Sequence, residues 1–155
     1  VEGYLLGCLD TRRQIRVSKN HIIPKVAKKM LLPWRWLQPT NARFLWAMAR
    51  SHYKGELEIP LNDIIKAYPA HLHTNIACPA LRGKGLGKRM MQAYFQYLES
   101  NSVPGVHLGT TSHNRLAAPF YERMGFEVLV KKRVTFYDHA ISDPPLYMLY
   151  MGKKL

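Results

Sequence analysis

Residues 82–87 read Arg-Gly-Lys-Gly-Leu-Gly, between an alternating apolar segment and a strongly periodic one. No other stretch constrains the fold as tightly. Ahead of it, Ala70-His71-Leu72-His73-Thr74-Asn75-Ile76 sets Leu72 and Ile76 on one side and His71, His73 and Asn75 on the other, a strand pattern. Behind it, Leu86, Met90, Tyr94 and Leu98 recur every four residues with Met91 and Phe95 beside them, which predicts a helix. Glycines allow a tight turn and a close approach of backbone to ligand. A helix N-terminus adds unpaired N–H groups and the positive end of a dipole. Strand, glycine turn and helix together predict a phosphate site, to which Arg82, Lys84 and Lys88 bring charge. After Gly87-Lys88, Arg89 stands where a Walker motif needs Ser or Thr, and the glycine spacing fits a dinucleotide fingerprint poorly.

The remaining punctuation extends this alternation. Gly3-Tyr4-Leu5-Leu6-Gly7-Cys8-Leu9 is a short apolar run that suits a buried strand. The stretch 12–54 is helical in pieces, broken by Pro24, Pro33 and Pro39; its best helix takes Thr40 as N-cap and ends at Gly55. A helical turn is expected over 61–66, a strand over 106–109, a helix from Asn114 to Gly125, and strands over 126–134 and 145–150. The order is strand, helical insert, strand, helix, strand, helix, strand, strand. It predicts one α/β domain over 1–155, with a mostly parallel or mixed sheet and an insert over 11–67.

Composition excludes several classes. A 47% hydrophobic content rules out whole-chain disorder. Cys8 and Cys78 cannot build a disulfide framework, and no apolar run reaches the roughly 20 residues that a bilayer requires. The start does not resemble a signal peptide, so an intracellular location, cytoplasmic or nuclear, is expected. Val1 is not an initiator Met, and the chain reads as a piece of something longer. The net charge is +13, with eleven Lys and Arg and no Asp or Glu across 11–54. Such a field attracts polyanions.

Pro79-Ala80-Leu81-Arg82-Gly83-Lys84-Gly85-Leu86-Gly87-Lys88 resembles motif A of the GNAT N-acetyltransferase superfamily, Arg/Gln-x-x-Gly-x-Gly/Ala. Asn114 to Phe126 is similar to a second family signature, Asn-x-x-Ala-x-x-Phe-Tyr-x-x-x-Gly-Phe. Tyr68-Pro69-Ala70-His71-Leu72-His73 further resembles a subgroup that includes the acetyltransferase-like domain of some O-GlcNAc hydrolases, which also carries a helical insert. The resemblance implies a GNAT fold, a mixed central sheet flanked by helices. It implies acetyl-CoA as co-substrate and transfer to a primary amine. Family members begin with strand and helix elements that have no counterpart here; an unseen segment or a partner would supply them, or this piece lacks full activity.

Site roles follow from the same resemblance. Asn75, Ile76 and Ala77 would pair their backbone with the pantetheine arm, in the gap where this strand splays from the next. Arg82, Gly83, Lys84, Gly85, Leu86, Gly87 and Lys88 would cradle the pyrophosphate. Asn114 would contact the cofactor arm, and Tyr121 would protonate the departing thiolate. His73 is the candidate base for the acceptor amine, beside a water relay or Asn75. Each has a plainer reading: a strand histidine, a core tyrosine, a solvated basic turn. His71 and His73 lack a third metal ligand, so no metal is expected. Cys78 is read as a small buried residue, and Met90, Met91, Tyr94 and Phe95 as core. The insert, with Trp34, Trp36, Phe44 and Trp46 among its cations, reads as a flap over the acceptor cleft; nucleic acid is the weaker reading and no membrane partner is expected. A noncatalytic CoA-binding or protein-interaction module is the alternative function. A homodimer stays open.

Overall fold

The computed structural model describes residues 3–30, 39–56, 60–77, 80, 83–135 and 145–155. β1 (Gly3–Cys8) leads into helices α1 (Thr11–Val17), α2 (Ile23–Met30), α3 (Pro39–Tyr53) and α4 (Leu61–Ala67). Then follow β2 (Ala70–Ile76), α5 (Leu86–Ser100), β3 (Gly105–Thr111), α6 (Ala117–Arg123), β4 (Glu127–Arg133) and β5 (Tyr147–Lys154). The five strands lie in the order β1-β2-β3-β5-β4. Among the described residues only β2 and β3 pair in parallel; the other pairs are antiparallel. The sheet is therefore mixed, as expected, with far less parallel pairing than a regular strand–helix alternation suggests.

One face carries the core. Ala70 and Leu72 of β2, Val106 and Leu108 of β3, and Leu149 and Met151 of β5 alternate toward Met91, Phe95 and Leu98 of α5 and toward Tyr121 and Phe126. Each buried Val, Leu, Met or Phe side chain taken fully out of water contributes about 1.5–3 kcal/mol, and α5 supplies three of them. The Tyr94 hydroxyl of α5 donates to the carbonyls of Cys8 and His71, tying the helix to β1 and β2.

The insert starts and finishes at one point. Asp10 caps α1 by accepting from the Arg12 and Arg13 amides at 2.8 and 3.2 Å. Thr11 then donates its amide (2.9 Å) and its hydroxyl (2.8 Å) to the carbonyl of Pro69, just ahead of β2. Between α1 and α2, Ser18–Ile22 widens into a π-helical turn. Pro24 follows at once; a proline ring crowds the carbonyl four residues back, and the wider turn relieves that clash.

Several boundaries differ from expectation. The α3 helix begins at Pro39, so Thr40 lies inside it and is not the cap. Gly55, at φ +64°, does end it. The α6 helix begins at Ala117 and not near Asn114. That puts Pro119 at its third position, where a missing N–H is harmless. Strand β3 starts one residue early and runs two further, and β5 continues to Lys154 because Gly105 pairs with it across the sheet.

Candidate active site

Strands β2 and β3 are each seven residues long but pair at two positions only, Ala70↔Val106 and His71↔His107. From Leu72 onward β2 keeps β1 as its partner, through to Gly3↔Ile76, while β3 continues along β5. The two middle strands therefore part like an opening V, and a gap forms between their C-terminal halves. Asn75 and Ala77 are exposed at the β2 end of this gap, with Ile76 half-buried.

The glycine turn sits just beyond. Gly83 and Gly85 have φ of +76° and +78°, and space is open beside both Cα atoms. Gly87 serves differently. A Cβ there would meet Phe120 Cζ at 3.2 Å and Ile76 Cδ1 at 3.4 Å. So the end of β2, the first turn of α5 and α6 converge on one glycine. The first intrahelical bond of α5 runs from the Arg89 amide to the Gly85 carbonyl. The amides of Leu86, Gly87 and Lys88 thus precede the ladder and have no carbonyl within the helix. Lys84 and Lys88 are exposed beside them; Arg82 and Cys78 lie outside the described residues.

Tyr121 is only 7% exposed, with Phe120 and Phe126 ring centroids 5.4 and 5.8 Å from its own. Burial pushes its phenol up from the ordinary value, so it holds its proton at neutral pH. Asn114, in the turn before α6, is exposed. Its amide donates to Thr111 at the end of β3 and its carbonyl accepts from Ala117, linking the gap to the helix that carries Tyr121.

The opposite face of the sheet holds a polar cluster. His73 is exposed, 6.0 Å from the Tyr4 ring. His71 and His107 stand with ring centroids 5.6 Å apart, and Cys8 Sγ is 3.6 Å from His71 Nδ1. Burial lowers the His71 pKa, helped by His107 and His73. Burial also lowers that of His107, against the hydrogen bonds at Tyr68 and Ala70 that favour its charge. Among the described residues no group of three or more His, Cys, Asp or Glu is placed to hold a metal ion.

The family model described as Acetyltransferase (GNAT) family matches residues 31–126. The chain belongs to the GNAT acetyltransferase family. The crystal structure of SsHAT is similar at a TM-score of 0.62 and 28% identity, over 99% of this chain and 66% of SsHAT. A protein of Bacillus anthracis str. Ames provisionally named a streptothricin acetyltransferase, in complex with acetyl coenzyme A, gives 0.49 and 23% over 58% of this chain and 51% of its own. Nourseothricin acetyltransferase gives 0.44 and 28%, over 54% and 49%. This GNAT chain spans just under two-thirds of SsHAT and about half of the other two.

Sequence reading passed over Glu56, which joins the insert to the sheet of this GNAT domain. Its carboxylate accepts from Ser51 Oγ at 2.7 Å, the Thr135 amide at 2.8 Å and Thr135 Oγ1 at 2.7 Å. Burial opposes its charge, but the hydrogen bonds from Ser51 and Thr135 and the nearby Lys54 hold the carboxyl below its usual range. Lys132 also donates to the Gly55 carbonyl. Its one local sign was being the first acid after the basic stretch. Trp34 and Trp36 lie outside the described residues, as does the side chain of Phe44.

Proposed function

We propose that this chain is an acetyl-CoA-dependent N-acetyltransferase that moves an acetyl group directly to a primary amine. The parting of β2 from β3 after His71 and His107 carries the reading. It opens a slot that ends at the glycine turn, and the room beside Gly83 and Gly85 suits a pyrophosphate. The acetyl thioester supplies the activated acyl carbon.

The chain's own groups have these roles. The backbone of Asn75, Ile76 and Ala77 binds the pantetheine arm. The turn 82–88 takes the phosphates on its amides and cations. Asn114 contacts the cofactor arm. His73 removes a proton from the acceptor ammonium, leaving the amine free to form the C–N bond. Amides in the gap stabilise the oxyanion. Tyr121 gives its proton to the thiolate as the C–S bond breaks, and the second proton shed by the acylated nitrogen restores the phenol through solvent. The insert forms a wall of the acceptor cleft, with Glu56 and Thr135 as its tie to the sheet.

A second reading, a noncatalytic module that binds CoA or a protein, is favoured by the packing of Tyr121 within the core. The subgroup resemblance carried by residues 68–73 belongs with either reading. Calorimetric titration of acetyl-CoA, with ATP as a control polyanion, tests the shared step. Selective binding of acetyl-CoA supports the cradle; equal binding of both reduces it to a charged surface. Thiol release on a panel of primary amines then separates the two readings.

A further inference from the structure

Among the described residues eleven large hydrophobic side chains are exposed, and six of them belong to the insert: Val17, Ile22, Ile23, Val26, Trp46 and Tyr53. The same stretch, 11–54, has eleven Lys and Arg and no acidic residue. A protein surface rarely collects apolar area and one sign of charge together without a partner for both.

The geometry sorts these groups. The helical run from Thr11 is pinned at its base by Thr11, which is buried against Pro69. Past Arg16 every described side chain of the run except Ser18 is exposed. At about 100° per residue, Ile22, Val26 and Ile23 span one arc of the helix, with Lys25 about 60° outside it and Lys28 close to the opposite face. On α3, Arg50 lies over the Trp46 ring at 5.6 Å, and Tyr53 follows on the next turn, with Trp46 66% and Tyr53 93% exposed.

We propose that the helical run 11–30 docks in the interface of an anionic lipid bilayer. Its aliphatic arc enters the headgroup–acyl boundary, Lys25 beside it reaches back to the headgroups, and the other cations of 11–54 add a longer-range attraction. Nucleic acid would satisfy the cations but has no counterpart for a row of aliphatic side chains. A second copy would bring another basic surface against this one. No helix among the described residues is long and apolar enough to cross a membrane. Lying in the interface demands only one apolar face. The proposal is independent of the transfer chemistry.

The test is co-sedimentation of the whole chain with phosphatidylcholine vesicles, with and without about 30% phosphatidylserine, at low and moderate salt. Binding at least about tenfold stronger to the anionic vesicles, weakened by salt, is expected. Ile23→Asn with Val26→Asn should weaken it by about tenfold or more, while Tyr97→Ser, at an exposed aromatic on α5, should not. Both positions of the double variant are exposed, and circular dichroism checks that it folds. Three results overturn the proposal: no preference for anionic vesicles, full binding by the double variant, or no sedimentation. The second would mean that charge alone attracts, as for nucleic acid; the third would leave an acidic protein as the occupant.

Discussion

His71 and His107 face each other in the last register pair that β2 and β3 share, their rings 5.6 Å apart at the root of the V. Cys8, His73 and the backbone of Tyr68 and Ala70 surround them, and no carboxylate is among these neighbours. In the fold both imidazoles protonate below the ordinary 6.5, whereas in the unfolded chain they protonate near it. As pH falls through that value the unfolded state takes up protons first. The contribution of these two histidines to stability is therefore full above about pH 6.5 and is lost on acidification. Thermal unfolding between about pH 7.5 and about pH 5 should show Tm dropping, with a shallower slope in His71→Gln. An identical slope in the variant would clear His71 of the effect.

Tyr121→Phe removes one hydroxyl from a packed ring. Acetyl transfer should slow by about 10²-fold or more, with acetyl-CoA affinity and Tm nearly unchanged. Stopped thiol-release assays and calorimetry on the same preparation check both halves. An undiminished rate would take Tyr121 out of the chemistry.

Gly85 and Gly87 should fail in different ways. Gly85→Val meets open space but forces a branched residue to φ +78°, at about 1–2 kcal/mol, and intrudes on the proposed phosphate cradle. Gly87→Val drives against Phe120 and Ile76, an overpacking that costs about 1–3 kcal/mol. Acetyl-CoA affinity should collapse in Gly85→Val even where the protein is folded. If affinity survives there, the cradle assignment fails.

Glu56→Ala strips three donors of their acceptor and should destabilise the chain by roughly 1–3 kcal/mol in urea unfolding. Because the fold lowers this carboxyl's pKa, its contribution is present above about pH 4.5 and disappears as pH falls through the folded value. Trypsin should also cut the basic insert faster in the variant, since its tie to Thr135 is gone. Equal cleavage of both proteins would mean that the insert is held elsewhere.

Much of the fold around the candidate site was readable along the chain because its signals are local. A glycine turn needs positive φ within a few residues, and Gly83 and Gly85 both adopt it. The four-residue spacing of Leu86, Met90, Tyr94 and Leu98 specifies α5 wherever it packs, and Gly55 and Gly125 stop their helices through their own φ. Pairings between distant residues carry no such mark. Pro119 warned of a displaced helix, yet the start at Ala117 is read only from the structure. Strand β5 outruns its expected end because β3 lies beside it. Glu56 and Thr135 are 79 residues apart, and nothing near either one announces the other. Sequence alone determined which segments turn, coil or extend, since backbone torsion and apolar period are properties of neighbours. The opening between β2 and β3, the burial of Tyr121 and the face the insert leaves to solvent were decided by tertiary structure, because each depends on which surfaces the packed sheet had already taken.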